Sequence, residues 1–136
     1  MTTYMLDTNI VSDLIRNPQG VVSARIAAIG EANVCTSIIV AAELRYGAAK
    51  RNAPRLTAQV DAVLAVLSVL SLQTPTAQFY GRIRSDLEAS GTPSGANDLL
   101  IAAHAASLGY VLVSDNSREF ERVKNLRLEN WLERSG

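Results

Sequence analysis

The feature that most restricts this chain is its rhythm, in which short apolar runs of strand length alternate with longer stretches of helical spacing. The strand-like runs fall at 3–6, 33–36, 69–72, 110–113 and 126–129. Helical spacing covers 10–16, 21–29, 38–51, 55–66, 74–89 and 97–108, with a helical turn near 118–122. Two parallel strands need a connection long enough to hold a helix, so this alternation predicts an α/β fold around a mostly parallel sheet. Local punctuation agrees. Asp7-Thr8-Asn9 and Ser37 are residue types that start helices, Pro75 suits a first helical turn, and Gly109 suits a helix end. At 136 residues the chain has enough length for one domain with a real core and too little for two, so one domain over 1–136 is expected.

Composition removes several classes. Apolar residues make up 48% and charged ones 19%, which excludes disorder as the main state. No apolar run reaches the roughly 18 residues of a membrane span, and the start lacks the basic flank and apolar stretch of a secretory signal. A cytoplasmic protein is the expectation. The single cysteine, Cys35, excludes a disulfide framework and a cysteine-rich zinc site. Thirteen basic residues balance thirteen acidic ones, so no global positive field draws the chain to nucleic acid. Eleven of the thirteen basic residues are Arg, the side chain that grips phosphates in two-pronged geometry. An RNA partner would need local Arg clusters or bound cations.

Most acids have a basic residue three or four positions away on a helix, as Asp13 has Arg16, Asp86 has Arg82, Glu88 has Arg84, Glu119 has Arg122 and Glu121 has Lys124. Such pairs are ordinary surface chemistry. Asp61 lacks one but shares its face with Thr57 and Ser68, which predicts a solvated side. Asp7, Glu43, Asp98 and Asp115 stand apart: Glu43 and Asp98 lie in apolar helical runs without a cation three or four positions away, and Asp7 and Asp115 directly follow apolar strand runs. Taken singly, they also have plain readings: a helix cap for Asp7, a dipole partner for Asp98, a snorkelling residue for Glu43 and a turn residue for Asp115. Asp7 and Asp115 follow strands, however, and ligands in parallel α/β sheets bind at the carboxyl edge. Four carboxylates gathered there would repel one another unless a cation offset them, and an all-oxygen donor set favours Mg²⁺ or Mn²⁺.

Other chemistries lack their residues. There is no glycine-rich phosphate loop and no dinucleotide fingerprint, nor a serine nucleophile elbow. His104, the only histidine, is expected to be a packed or surface helix residue, which excludes paired-histidine acid–base catalysis. Cys35 is expected to be an inert core thiol.

Four segments in order resemble the PIN-domain ribonucleases, and within them the VapC-type toxins of prokaryotic toxin–antitoxin pairs. They are Met5-Leu6-Asp7-Thr8-Asn9, Ala42-Glu43-Leu44-Arg45-Tyr46-Gly47, Thr92 to Asp98 with Ile101-Ala102-Ala103-His104-Ala105, and Val113 to Phe120 followed by Leu128-Glu129-Asn130-Trp131. The chain departs from the pattern at Ser94 and Ala96, where relatives often carry Ile and Pro. Around Asp115-Asn116 relatives vary between acid and amide. The resemblance implies a three-layer α/β/α PIN-like fold and Mg²⁺-dependent endoribonuclease activity, with transfer RNA the family-based expectation for substrate. It also implies a homodimer and a VapB-type antitoxin partner. On this reading Asp7 and Asp98 bind Mg²⁺, with Mn²⁺ an alternative, and Glu43 is a further ligand or the anchor of a bound water. Asp115 or Asn116 completes the outer set, with Asn9 and Ser37 behind it. Arg45, Arg82, Arg84 and Arg118 are the candidates for RNA backbone contacts. The apolar helices 21–29 and 55–66 are the expected dimer and antitoxin surfaces. Two alternatives stay open on the residues alone, an Mg²⁺-binding phosphoacceptor signalling domain and a catalytically decayed RNA- or protein-binding domain.

Overall fold

The computed structural model describes residues 2–132. Among them are five strands and seven helices in the order β1 (Tyr4–Leu6), α1 (Thr8–Arg16), α2 (Val21–Ile29), β2 (Val34–Ser37), α3 (Ile38–Arg51), α4 (Pro54–Val66), β3 (Ser68–Leu70), α5 (Thr74–Ala89), α6 (Ala96–Leu108), β4 (Val111–Val113), α7 (Ser117–Phe120) and β5 (Arg127–Glu129). Pro54 occupies the first turn of α4 and Pro75 that of α5, where a missing N–H removes no helical bond. Asn52 ends α3 and Gly109 ends α6, both in the left-handed conformation. Every expected element is present. The main shifts are a 3-10 turn at Glu31–Asn33, which delays β2 by one residue, and a four-residue α7 that stops at Phe120.

The sheet is wholly parallel, in the order β3-β2-β1-β4-β5. Right-handed crossovers put the helices of the β1–β2 and β2–β3 connections on one face, and those of the return connection to β4 on the other. The packing agrees, since α1, α3 and α4 touch one another while α5 packs along α6. This is the three-layer α/β/α fold. Between the layers lies an apolar core with Met5 and Leu6 of β1, Leu112 and Val113 of β4, Ile10 of α1 and Ile101 of α6, all fully buried. Strands buried on both faces read as continuous apolar runs, which is why they were visible in the sequence. Among the described residues, no helix is long and apolar enough to cross a membrane.

The strand order reverses between β1 and β4. In an open parallel sheet the loops leaving two such strands diverge to opposite faces and leave a crevice at the carboxyl edge. Leu6 is in register with Val113, so the residues entering that crevice are Asp7 and Ser114.

Candidate active site

Asp7 directly follows β1 and is 3% exposed. Its N–H extends the ladder to the Val113 carbonyl at 2.8 Å. It stands at the N-cap position of α1 but makes no capping bond with its side chain, so the plain capping role does not explain the carboxylate. Instead Oδ2 accepts the Ser114 hydroxyl at 2.7 Å, while Oδ1 is buried without a hydrogen-bond partner. Burial pushes the Asp7 pKa up, against the lowering effects of the Ser114 hydroxyl and the Thr8 amide, and the Glu43 charge adds to the rise.

Two helices bring further carboxylates. Glu43, half-buried in α3, accepts the Thr8 hydroxyl at 2.8 Å, across 35 residues of sequence. Asp98 sits in the first turn of α6. Its pKa is raised to about 6, first by burial and then by the charges of Asp7, Glu119 and Glu43. Asp98 of α6 therefore feels the carboxylates that follow β1 and stand on α3 and α7, and Asp7 feels that of α3. Among the described residues, no three His, Cys, Asp or Glu side chains stand ready as a metal-binding cluster. The carboxylates share a field without converging on one point.

Glu119 is the acid that the helical-pairing rule hid. Arg122 lies three residues further on, but α7 ends at Phe120, so no helix carries the two to one face. Glu119 accepts instead from the Asn116 side chain at 3.1 Å, and the Asn116 N–H donates to Ser114 Oγ at 2.9 Å. Asn116 thus ties the inward residues Ser114 and Glu119 together. Asp115 does not join them. Successive residues leaving a strand point to opposite sides, and with Ser114 turned inward Asp115 is exposed, accepting from Asn130 Nδ2 at 3.1 Å. Thr8, Ser114 and Glu119 were all missed by sequence reasoning, although Thr8 and Ser114 each adjoin a residue it chose.

The remaining candidates lie elsewhere. Asn9 is exposed. Ser37 Oγ caps α3 by accepting the Ile39 N–H at 3.1 Å, and lies 2.8 Å from His104 Nδ1, so it anchors the helix that carries Glu43 rather than facing the acids. His104 is buried and its pKa is lowered by desolvation, a packed residue as expected. Cys35 is buried, its thiol pushed up to about 11 by burial, and so is inert at neutral pH. Arg45 pairs with Asp61 at 2.6 Å and joins α3 to α4; Asp61 is exposed, as expected, and has this cation as a partner besides. Arg84 pairs with Glu88 at 3.0 Å and donates to the Tyr80 hydroxyl at 2.8 Å. Arg82 and Arg118 are exposed and unpaired among the described residues.

The donor set suits a hard divalent cation. It is all oxygen, it includes a buried carboxylate oxygen with nothing to accept, and the pKa values of Asp7 and Asp98 are raised in the way an added positive charge would reverse. A family model of the PIN domain matches residues 4–126. Among curated relatives, Ribonuclease VapC2 of Haemophilus influenzae is 46% identical over 97% of this chain and 100% of its own length. The tRNA(fMet)-specific endonuclease VapC of Salmonella typhimurium is 41% identical over 96% and 99%. Among solved structures, VapBC2 from Rickettsia felis bound to a promoter DNA fragment superposes with a TM-score of 0.89 at 35% identity, covering 96% of this chain and 99% of that one. A fold and an acidic crevice of this kind define a PIN-domain nuclease. The chain belongs to that family and, within it, to the VapC ribonucleases.

Proposed function

We propose that this chain is the toxin of a toxin–antitoxin pair, an endoribonuclease that hydrolyses RNA phosphodiesters with a divalent cation held at the β1–β4 crevice. The observation that carries the reading is Asp7, a buried carboxylate at the switch point with one oxygen bonded and one bare. Asp7 and Asp98 are the direct holders, and Glu43 and Glu119 reach in with their longer side chains, Glu119 in the place first assigned to Asp115. Mg²⁺ is the cation, with Mn²⁺ a substitute. When bound, such a cation acidifies water and offsets charge developing on the phosphate. Ser114 keeps Asp7 oriented, and Thr8 fixes Glu43. Since His104 is buried against Ser37, no imidazole serves the RNA 2′-hydroxyl, and the products are 5′-phosphate and 3′-hydroxyl ends. Transfer RNA is the proposed substrate, in line with the name of the Salmonella relative.

The partner is a VapB-type antitoxin, as in the VapBC complexes this chain resembles. Two hollows suit it. An apolar one of about 250 Å³ lies between α2 and the end of α4, with Ile26, Val66 and Leu67. A second of about 240 Å³ runs between α1, α3 and α4 and reaches Thr8 and Glu43, where a basic side chain of the antitoxin would meet the carboxylates. A homodimer in the cytoplasm completes the proposal.

The test is cleavage of a tRNA transcript by purified protein with Mg²⁺ and with chelator. The expected result is cleavage only with Mg²⁺, loss of at least a hundredfold in Asp7→Asn (on the scale of a transition-state contact), and 5′-phosphate ends. Equal cleavage with chelator, or full activity in Asp7→Asn, refutes the proposal.

A further inference from the structure

Among the described residues, Arg84–Glu88 forms as spacing assigned it, but the other helical pairs do not. Arg82 is not paired with Asp86, Arg122 with Glu119, or Lys124 with Glu121; among the described residues the ion pairs are Arg25–Glu129, Arg45–Asp61 and Arg84–Glu88. Arg82, Arg122 and Lys124 instead line one pocket of about 90 Å³ between α5, α6 and the segment after α7, together with Asp86, Phe79 and Ala106. All three cations are exposed. In a chain with equal numbers of acids and bases, three cations around one hollow with a single acid make a local positive field. Ala106 lies eight residues after Asp98 on α6, about 12 Å along the helix. The pocket is therefore close enough to touch the same RNA and too far to touch the scissile phosphate.

We propose that this pocket is a phosphate anchor for the RNA strand outside the cleavage position, an inference that rests on the RNA-cleaving reading above. Arg82 and Arg122 present planar forks that match phosphate oxygens, and Lys124 adds a point charge. Asp86 opposes the anchor and weakens it.

The experiment measures equilibrium binding of a full-length tRNA transcript to the full chain in chelator, over a series of salt concentrations. The triple variant Arg82→Ala/Arg122→Ala/Lys124→Ala is expected to bind at least tenfold more weakly, with the plot of log affinity against log salt shallower by about two. Asp86→Asn is expected to bind more tightly, a gain that damage to the fold would not produce. Should the triple variant melt early, Arg82→Gln and Asp86→Asn carry the same opposite-sign test. Unchanged affinity and slope in the charge variants overturn the anchor and leave the nuclease reading standing. Charge-dependent binding without Mg²⁺-dependent cleavage keeps the anchor and overturns that reading, and no binding by the unaltered chain in chelator overturns the anchor, with cleavage in Mg²⁺ deciding the nuclease reading.

Discussion

Asp7 Oδ2 accepts the Ser114 hydroxyl while Asp7 Oδ1 accepts nothing, and this asymmetry separates a site from a structural carboxylate. Burying a charge that is only half satisfied is unfavourable, and on the proposed reading stability is given up here to hold a cation. Ser114→Ala removes the remaining support of a buried carboxylate and is expected to destabilise the protein by about 1–3 kcal/mol, read from urea unfolding, and to weaken Mg²⁺ binding as well. Asp98 supplies a pH signature. Its proton is held more tightly in the folded chain, with a pKa of about 6 against an ordinary 3.8. Protonation therefore favours the folded state below about 3.8, and this contribution is lost as pH rises through about 6. In chelator, the melting temperature of the unaltered protein should fall relative to Asp98→Asn across that window, while Mg²⁺ affinity rises. Parallel curves for the two proteins would show that Asp98 is not under strain from its neighbours.

The elements divide into those that local chemistry specified and those that needed the third dimension. Helices α2, α3 and α5 run as the spacing predicts, because Gly30, Ser37, the Asn52 turn and Pro75 set their ends locally. The central strands β1, β2 and β4 were legible for another reason, burial on both faces. The sequence marks a helical turn near 118–122 but not its end at Phe120, and there the i,i+3 rule misfiled Glu119 as a surface partner of Arg122. The same short element decides between Asp115 and its neighbours, since Ser114 and Asp115 leave β4 on opposite sides and only one can face Asp7. Asp61–Arg45, 16 residues apart, is likewise a contact between helices that no helical period reveals. Glu119→Gln is expected to lower kcat/KM on tRNA by about tenfold to a hundredfold and to bring the Asp98 pKa down. Asp115→Asn should alter kcat/KM by less than about twofold. Initial rates for the two variants, measured side by side, distinguish the assignments, and the reverse order would restore Asp115 to the site.

Across the whole molecule, the strand order β3-β2-β1-β4-β5 makes an acidic edge from residues scattered through the chain. The reversal between β1 and β4 opens the crevice, β1 delivers Asp7 into it, and α3, α6 and α7 carry Glu43, Asp98 and Glu119 to its sides. Three of these four acids could be singled out from the sequence because an apolar context without a cation is itself a signal. Their meeting could not, because it depends on which strands are neighbours. The central claim is that this edge grips a divalent ion. Anomalous scattering from crystals of the full chain grown with Mn²⁺ tests it most directly. The account predicts a peak beside Asp7 Oδ1, flanked by Asp98 and by Glu43 or Glu119, that disappears in Asp7→Asn. Mn²⁺ bound only away from Asp7, or a peak at Asp7 that survives that substitution, would contradict it.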